Sequence, residues 1–276
     1  MKKLPILLVF CLLVQITFAQ TFTQKLAGIK KVHFIVAGNE LDIQATSGGE
    51  LTIETKDYEK PSKRADGLKP VYNTNIDNTG VGLSVRKEDG GVLYVSVASA
   101  KKDTDYIIKM PKGIAIVIEQ VVWRGGDFRL EGLENEIEIK SKNSDIRIIN
   151  ITGPVIAHTT SGDIEVTYTK LSDKPNSISS TSGFVDVTLP KNVKANMIMS
   201  SVSGEIYTDF DLVTESTDSK SHKDDDCKNC EDHDHDRWKG FFHGNGRNQT
   251  VGKINGGGTE IRLKAVSGNV YLRKTK

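Results

Sequence analysis

The chain has little cysteine, proline or aromatic character: of 276 residues, three are cysteine, seven are proline and 7% are aromatic. Cys11 falls in an apolar N-terminal run, which leaves Cys227 and Cys230. Two thiols cannot staple a fold of this length, so stability must come from packing and backbone pairing. Net charge is nearly absent as well, at +1. A nucleic-acid partner is excluded on that ground, because phosphates reward a basic surface. Nowhere does an apolar 3.6-residue period persist long enough for a substantial helix.

Met1-Lys2-Lys3 is basic, Leu4 to Phe18 is apolar but too short to span a bilayer, and Thr17-Phe18-Ala19 suits cleavage. A signal peptide over 1–19 is therefore expected, with export to the periplasm, the cell surface or the medium. No later run is long enough for a transmembrane segment. Bulky Phe10 before Cys11 argues against a lipid-modified cysteine.

What the chain does have is repetition. Asn143-Ser144-Asp145-Ile146, Thr160-Ser161-Gly162-Asp163-Ile164, Thr181-Ser182-Gly183-Phe184-Val185, Val202-Ser203-Gly204-Glu205-Ile206 and Val266-Ser267-Gly268-Asn269-Val270 align on their serines. Ile146, Ile164, Val185, Ile206 and Val270 form one column, and Ile148, Val166, Val187, Thr208 and Leu272 another two places on. Between them lie Arg147, Glu165, Asp186, Tyr207 and Tyr271, so each phrase reads as a corner followed by a half-buried strand. The serines are 17, 21, 21 and then 64 residues apart, near-constant steps followed by a gap of about three periods. Such units bury their apolar faces only by stacking, which is the logic of a solenoid.

Earlier residues are also β in pattern. Val32, Phe34 and Val36 alternate, Ser47-Gly48-Gly49 offers a weaker Ser-Gly corner, and Leu83–Arg86 and Val92–Val97 flank a hairpin signal at Glu88-Asp89-Gly90-Gly91. Residues 56–80 suit a long surface loop. The mature chain is expected to be all-β. Its expected divisions are an N-terminal β portion over 20–104 that is less regular, β-solenoid repeats over 105–211, an acidic His/Cys-rich disordered insertion over 212–250 and a final solenoid coil over 251–276.

Met110-Pro111-Lys112-Gly113, Thr160-Ser161-Gly162-Asp163-Ile164, Leu189-Pro190-Lys191-Asn192, Val202-Ser203-Gly204-Glu205-Ile206 and the closing Ile261-Arg262-Leu263-Lys264-Ala265-Val266-Ser267-Gly268-Asn269-Val270 resemble the putative-adhesin β-strand-repeat family, a bacterial exported domain of unknown function. The likeness covers most of 105–274, is weaker before it, and leaves out 212–250. It implies a right-handed parallel β-solenoid on the cell envelope with no established catalysis. The function expected is a non-catalytic, exported adhesion or interaction module whose partner is an envelope or cell-surface protein or glycan.

Two site readings compete with plain structure. The Ser-Gly residues suit corner chemistry, glycine tolerating positive φ and serine bonding the turn backbone. Asp145, Asp163, Glu205 and Asn269 could instead line up as calcium or sugar ligands, although Phe184 interrupts them. For a carbohydrate-active β-helix enzyme, Asp127, Arg129, Glu136, Glu138, Arg147, Glu165 and Asp186 are the candidates. Their alternating sign is that of a solvated strand face, and His158 lacks a recognisable triad companion.

The insertion carries the chemistry. His222, Cys227, Cys230, His233, His235 and His243 lie within 22 residues among acidic neighbours, a donor set that suits zinc or copper. Asp232, Asp234 and Asp236 begin an EF-hand spacing, but Arg237 and His243 stand where that loop needs glycine and a bidentate glutamate. A Cys227–Cys230 disulfide, or a solvated loop without a ligand, reads equally from the same residues. The alternative function is thus an envelope metal-binding or metal-sensing protein. Trp238, Phe241 and Phe242 would dock the loop or meet a partner.

Overall fold

Period-two patterning becomes strand almost throughout. The computed structural model describes residues 20–55, 58–65, 67–68, 71, 75–99, 104–214 and 249–276. The first strands are β1 (Gln20–Lys25), β2 (Lys31–Val36), β3 (Leu41–Thr46), β4 (Glu50–Thr55), β5 (Leu83–Glu88), β6 (Val92–Val97) and β7 (Tyr106–Pro111). There follow β8 (Ala115–Gln120), β9 (Phe128–Glu131), β10 (Ile137–Asn143), β11 (Ile146–Ile151), β12 (Val155–Ser161), β13 (Ile164–Tyr168), β14 (Asn176–Ser182) and β15 (Val185–Leu189). The last are β16 (Ala195–Ser201), β17 (Ile206–Thr208), β18 (Val213–Thr214), β19 (Gln249–Ile254), β20 (Thr259–Ala265) and β21 (Val270–Lys274). One 3-10 turn, Lys63–Ala65, is the only helical element among the described residues. The protein is all-β, as its patterning requires. The expected signal peptide lies outside the described residues.

Two sheets face each other. Each repeat runs along one strand of the eleven-stranded sheet, turns a corner and returns along one strand of the ten-stranded sheet. Neighbouring coils pair in parallel: Ile146 opposes Ile164, Ile164 opposes Val185, and Val185 opposes Val270. These residues and the second column, Ile148, Val166, Val187 and Leu272, are all within 1% of complete burial. Their partners on the opposite sheet, such as Ile139, Ala157, Ile178 and Leu263, are equally enclosed. Burying each Ile, Val or Leu contributes about 1.5–3 kcal/mol, so the stack is its own core.

Coil order differs from chain order at both ends. In space the sequence runs β6/β7, β2/β3, β8/β9, β10/β11, β12/β13, β14/β15, β20/β21, β16/β17. The last coil of the chain thus slides between the two before it, pairing with β14 and β16 in one sheet and with β15 and β17 in the other. Polarity explains the choice. Val270 and Leu272 can be buried on both sides, whereas Thr208 would carry a hydroxyl into the core and stands exposed on the border strand instead. Likewise residues 31–46 form a full coil inside the stack, between β6/β7 and β8/β9. The corner of that coil is Gly38-Asn39, not Ser47-Gly48-Gly49, which turns between β3 and β4 on the surface. The expected hairpin of β5 and β6 is present.

Antiparallel strands close three of the four sheet borders. β4 and β1 lie outside β7, β5 lies outside β6, and β19 followed by β18 lies outside β16. The fourth border is β17, with no further strand beyond it among the described residues.

Candidate interaction surface

The corners are built by close approach. A Cβ on Gly183 would sit 2.1 Å from the Gly162 carbonyl oxygen, one on Gly268 would sit 2.1 Å from that of Gly183, and one on Gly204 would sit 2.2 Å from that of Gly268. Only Gly162 of these four has positive φ, at 127°. The glycines are therefore needed mainly because backbones touch from coil to coil, and conformational freedom is a minor reason. The hydroxyls that fasten the corners come from two residues ahead of each Ser-Gly pair: Thr159 donates to Ser144 O, Ser180 to Gly162 O and Ser201 to Gly268 O.

The acidic column is likewise spent on structure. Asp127 Oδ1 accepts the Asp145 N–H, Asp145 Oδ1 the Asp163 N–H, Asp163 Oδ1 the Phe184 N–H, and Asn269 Oδ1 the Glu205 N–H, at 2.8–3.3 Å. Each side chain replaces a ladder bond that the corner itself cannot make, so three of the four suspected ligands, Asp145, Asp163 and Asn269, are rungs, and the Glu205 carboxylate accepts from the Tyr207 hydroxyl instead. The outward strand residues pair off: Arg147 with Glu165 at 3.1 Å, Arg273 with Asp186 at 2.9 Å, Arg129 with Glu131 at 2.5 Å, and Lys174 with Glu136 at 2.8 Å. Glu138 pairs with Lys140 at 2.8 Å, and His158 meets the Ser179 hydroxyl at 3.0 Å. Six of the seven acid and base candidates are thus spread along two sheet faces in neighbouring pairs, and the seventh, Asp127, is a rung.

Three aromatics break this pattern at the β17 end. Tyr207 and Tyr271 share a register and stack with centroids 5.4 Å apart and planes 11° from parallel. Arg273 lies over Tyr271 at 5.1 Å, and Phe184 meets Tyr271 edge-on at 6.0 Å. Asn269 holds the Tyr271 hydroxyl at 2.9 Å, and the Tyr207 hydroxyl donates to Glu205. That bond to a carboxylate raises the Tyr207 pKa. The sequence shows both tyrosines in one column, but only the insertion of the last coil makes them neighbours. Trp123, 61% exposed, was not singled out by any spacing. Its corner loop is held by Lys142 Nζ on Val121 O, Asn143 Nδ2 on Trp123 O and Gln120 Nε2 on Arg124 O.

Two concavities lie at the other end. An open groove of about 300 Å³ has Glu40, Asp42, Glu54, Asp105, Asp127 and Arg129 among its walls. A pocket of about 470 Å³ contains Tyr58, Asp77 and Tyr106. Burial pushes both tyrosine hydroxyls up. Burial alone would also raise Asp77, but bonds from Tyr58 OH, Thr79 and Gly80 hold it below the usual carboxylate range. Those bonds shape the 77–82 loop.

His222, Cys227, Cys230, His233, His235 and His243, with Trp238, Phe241 and Phe242, lie outside the described residues. The chain leaves and re-enters at one place, since Thr214 pairs with Gly252. No group of three His, Cys, Asp or Glu side chains among the described residues is placed to hold a metal ion. No helix among them is long and apolar enough to cross a membrane.

Residues 119–236 match the model of the Toastrack DUF4097 family, the domain of unknown function that the repeat motifs resemble. Among solved structures, the chain is similar to a putative cell adhesion protein from Clostridium sporogenes, at 11% identity and a TM-score of 0.46, covering 94% of this chain and 100% of that one. A putative adhesin from Bacteroides fragilis is similar at 16% identity and a TM-score of 0.40, covering 94% and 97%. No curated protein matches the chain.

Proposed function

We propose that this is a non-catalytic, exported envelope protein that works as an adhesion or interaction module, its coils wound as a right-handed solenoid. The observation that carries the reading is the rigid display of exposed apolar and aromatic side chains on a hydrogen-bonded frame. Trp123, Val202 and Tyr207 stand 61%, 64% and 48% exposed on coils whose backbones are bonded to their neighbours. Aromatic anchors of this kind are what contact surfaces are enriched in, and fixing them beforehand lowers the entropy cost of binding. The right-handed winding is supported by the general hand of parallel crossover connections. The signal peptide expected over residues 1–19 is the ground for export.

Beads coated with residues 20–276 should be retained on an immobilised bacterial or host cell surface under flow, and fractionation should find the chain outside the cytoplasm. Retention no greater than that of albumin-coated beads would overturn the reading. A second role, metal capture by the 215–248 segment, is favoured by the pairing of Thr214 with Gly252. A segment anchored at one point can gather Cys227, Cys230 and the histidines around zinc or copper without straining the coils.

A further inference from the structure

Parallel pairing fixes which backbone groups of β17 are used. Val270 N–H donates to Glu205 O at 2.9 Å and Asp209 N–H to Leu272 O at 3.4 Å, so residues 205, 207 and 209 turn their backbone groups inward. Ile206 and Thr208 consequently point their N–H and C=O outward, past the border of the sheet. The opposite sheet continues for two more strands on this side, β19 and β18, and among the described residues no strand faces β19. On the other three borders that next strand is present and antiparallel.

The side chains at the same border point to the occupant. The pile of Arg273, Tyr271 and Tyr207 ends on a tyrosine that is 48% exposed, and Glu205 and Asp209 flank it with negative charge. A cross-strand neighbour of Tyr207 that is both flat and cationic would continue the pile and answer the carboxylates. The residues 215–248 of this chain are net acidic, which disfavours them at this edge. We propose that β17 is a docking edge that takes up an extended, arginine-bearing segment of a partner protein as an added antiparallel strand, with the arginine stacked on Tyr207. Main-chain bonds to Ile206 and Thr208 would supply affinity, and the stacked position specificity. This deepens the interaction-module reading and rests on it.

The test uses the full mature chain and a fluorescent, end-capped peptide, Thr-Thr-Val-Arg-Val-Thr-Thr, with a second peptide carrying Glu in place of Arg. Saturable binding of the first peptide alone is expected, with slowed hydrogen exchange at the Ile206 and Thr208 amides. Tyr207→Ser should weaken binding about tenfold, and Thr208→Pro, which removes an outward N–H, should abolish it. Melting curves check that both variants fold. If Thr208→Pro does not fold, Tyr207→Ser and the exchange pattern decide. No saturable binding, or binding indifferent to both substitutions and to the peptide's charge, overturns the proposal. Self-association of the chain through this edge overturns it in favour of a second copy. Binding seen only after residues 215–248 are replaced by a Gly-Ser linker overturns it in favour of the chain's own segment. Failure of the peptide with retention of coated beads removes the edge and leaves the interaction module standing, whereas loss of bead retention removes the module itself.

Discussion

Replacing Gly183 by alanine adds one methyl group where two coils touch. The backbone there is not in the left-handed region, so alanine is tolerated by φ and only space is at issue. The new Cβ would lie 2.1 Å from Gly162 O, 2.6 Å from Gly162 C and 2.8 Å from Asp163 Oδ1. Ordinary separation requires the corner to retreat by roughly 1 Å. That retreat stretches Gly162 N–H to Ser182 O, now 3.1 Å, Ile164 N–H to Phe184 O, now 3.0 Å, and Phe184 N–H to Asp163 Oδ1, now 2.9 Å. At about 1 kcal/mol net for each weakened bond, the loss is about 3 kcal/mol. For a domain of this size it lowers Tm by roughly 6–12 °C. Gly49→Ala is the reference, because nothing lies within 4 Å of its Cβ. Thermal denaturation followed by circular dichroism compares the two, and equal melting temperatures would refute the close-packed corner.

Ile164→Lys places an unpaired charge among fully buried residues and should cost on the order of 3 kcal/mol, while Glu165→Lys on the outward face should cost under about 1 kcal/mol; similar melting temperatures would contradict the register. Because the folded-state pKa of Asp77 is depressed, its contribution is complete above the ordinary carboxylate range near pH 4 and is lost as pH falls through the folded value. Asp77→Asn should therefore be the less stable protein in urea melts at pH 7, with the difference shrinking at pH 3, and a difference independent of pH would argue against it. Reduced protein should bind about one zinc or copper ion by calorimetry, more weakly below about pH 6.5 or once Cys227 and Cys230 are oxidised; binding unchanged by serine at both cysteines and by loss of the histidines would leave the segment without a metal role.

Local sequence was enough for the class of fold and the identity of the buried columns. Ile146, Ile164, Val185 and Val270 alternate with polar residues at a period that only a strand with one buried face accommodates, and that information is local. The order of stacking was not legible, because a repeated unit presents nearly the same edge to every neighbour. Val270 could follow Ile206 or precede it, and the decision rests on burying Leu272 while leaving Thr208 at a border, a comparison between distant residues. The role of the glycines is hidden for a similar reason: local conformation points to φ, whereas the requirement at Gly183 comes from a carbonyl 21 residues away in the chain. The same holds for the candidate site. Tyr207 and Tyr271, 64 residues apart, become a stacked pair, and β17 becomes a border strand among the described residues, only because the final coil inserts where it does. Sequence determines which faces must be hidden, and tertiary structure alone decides which strand stands at a border of the described sheets.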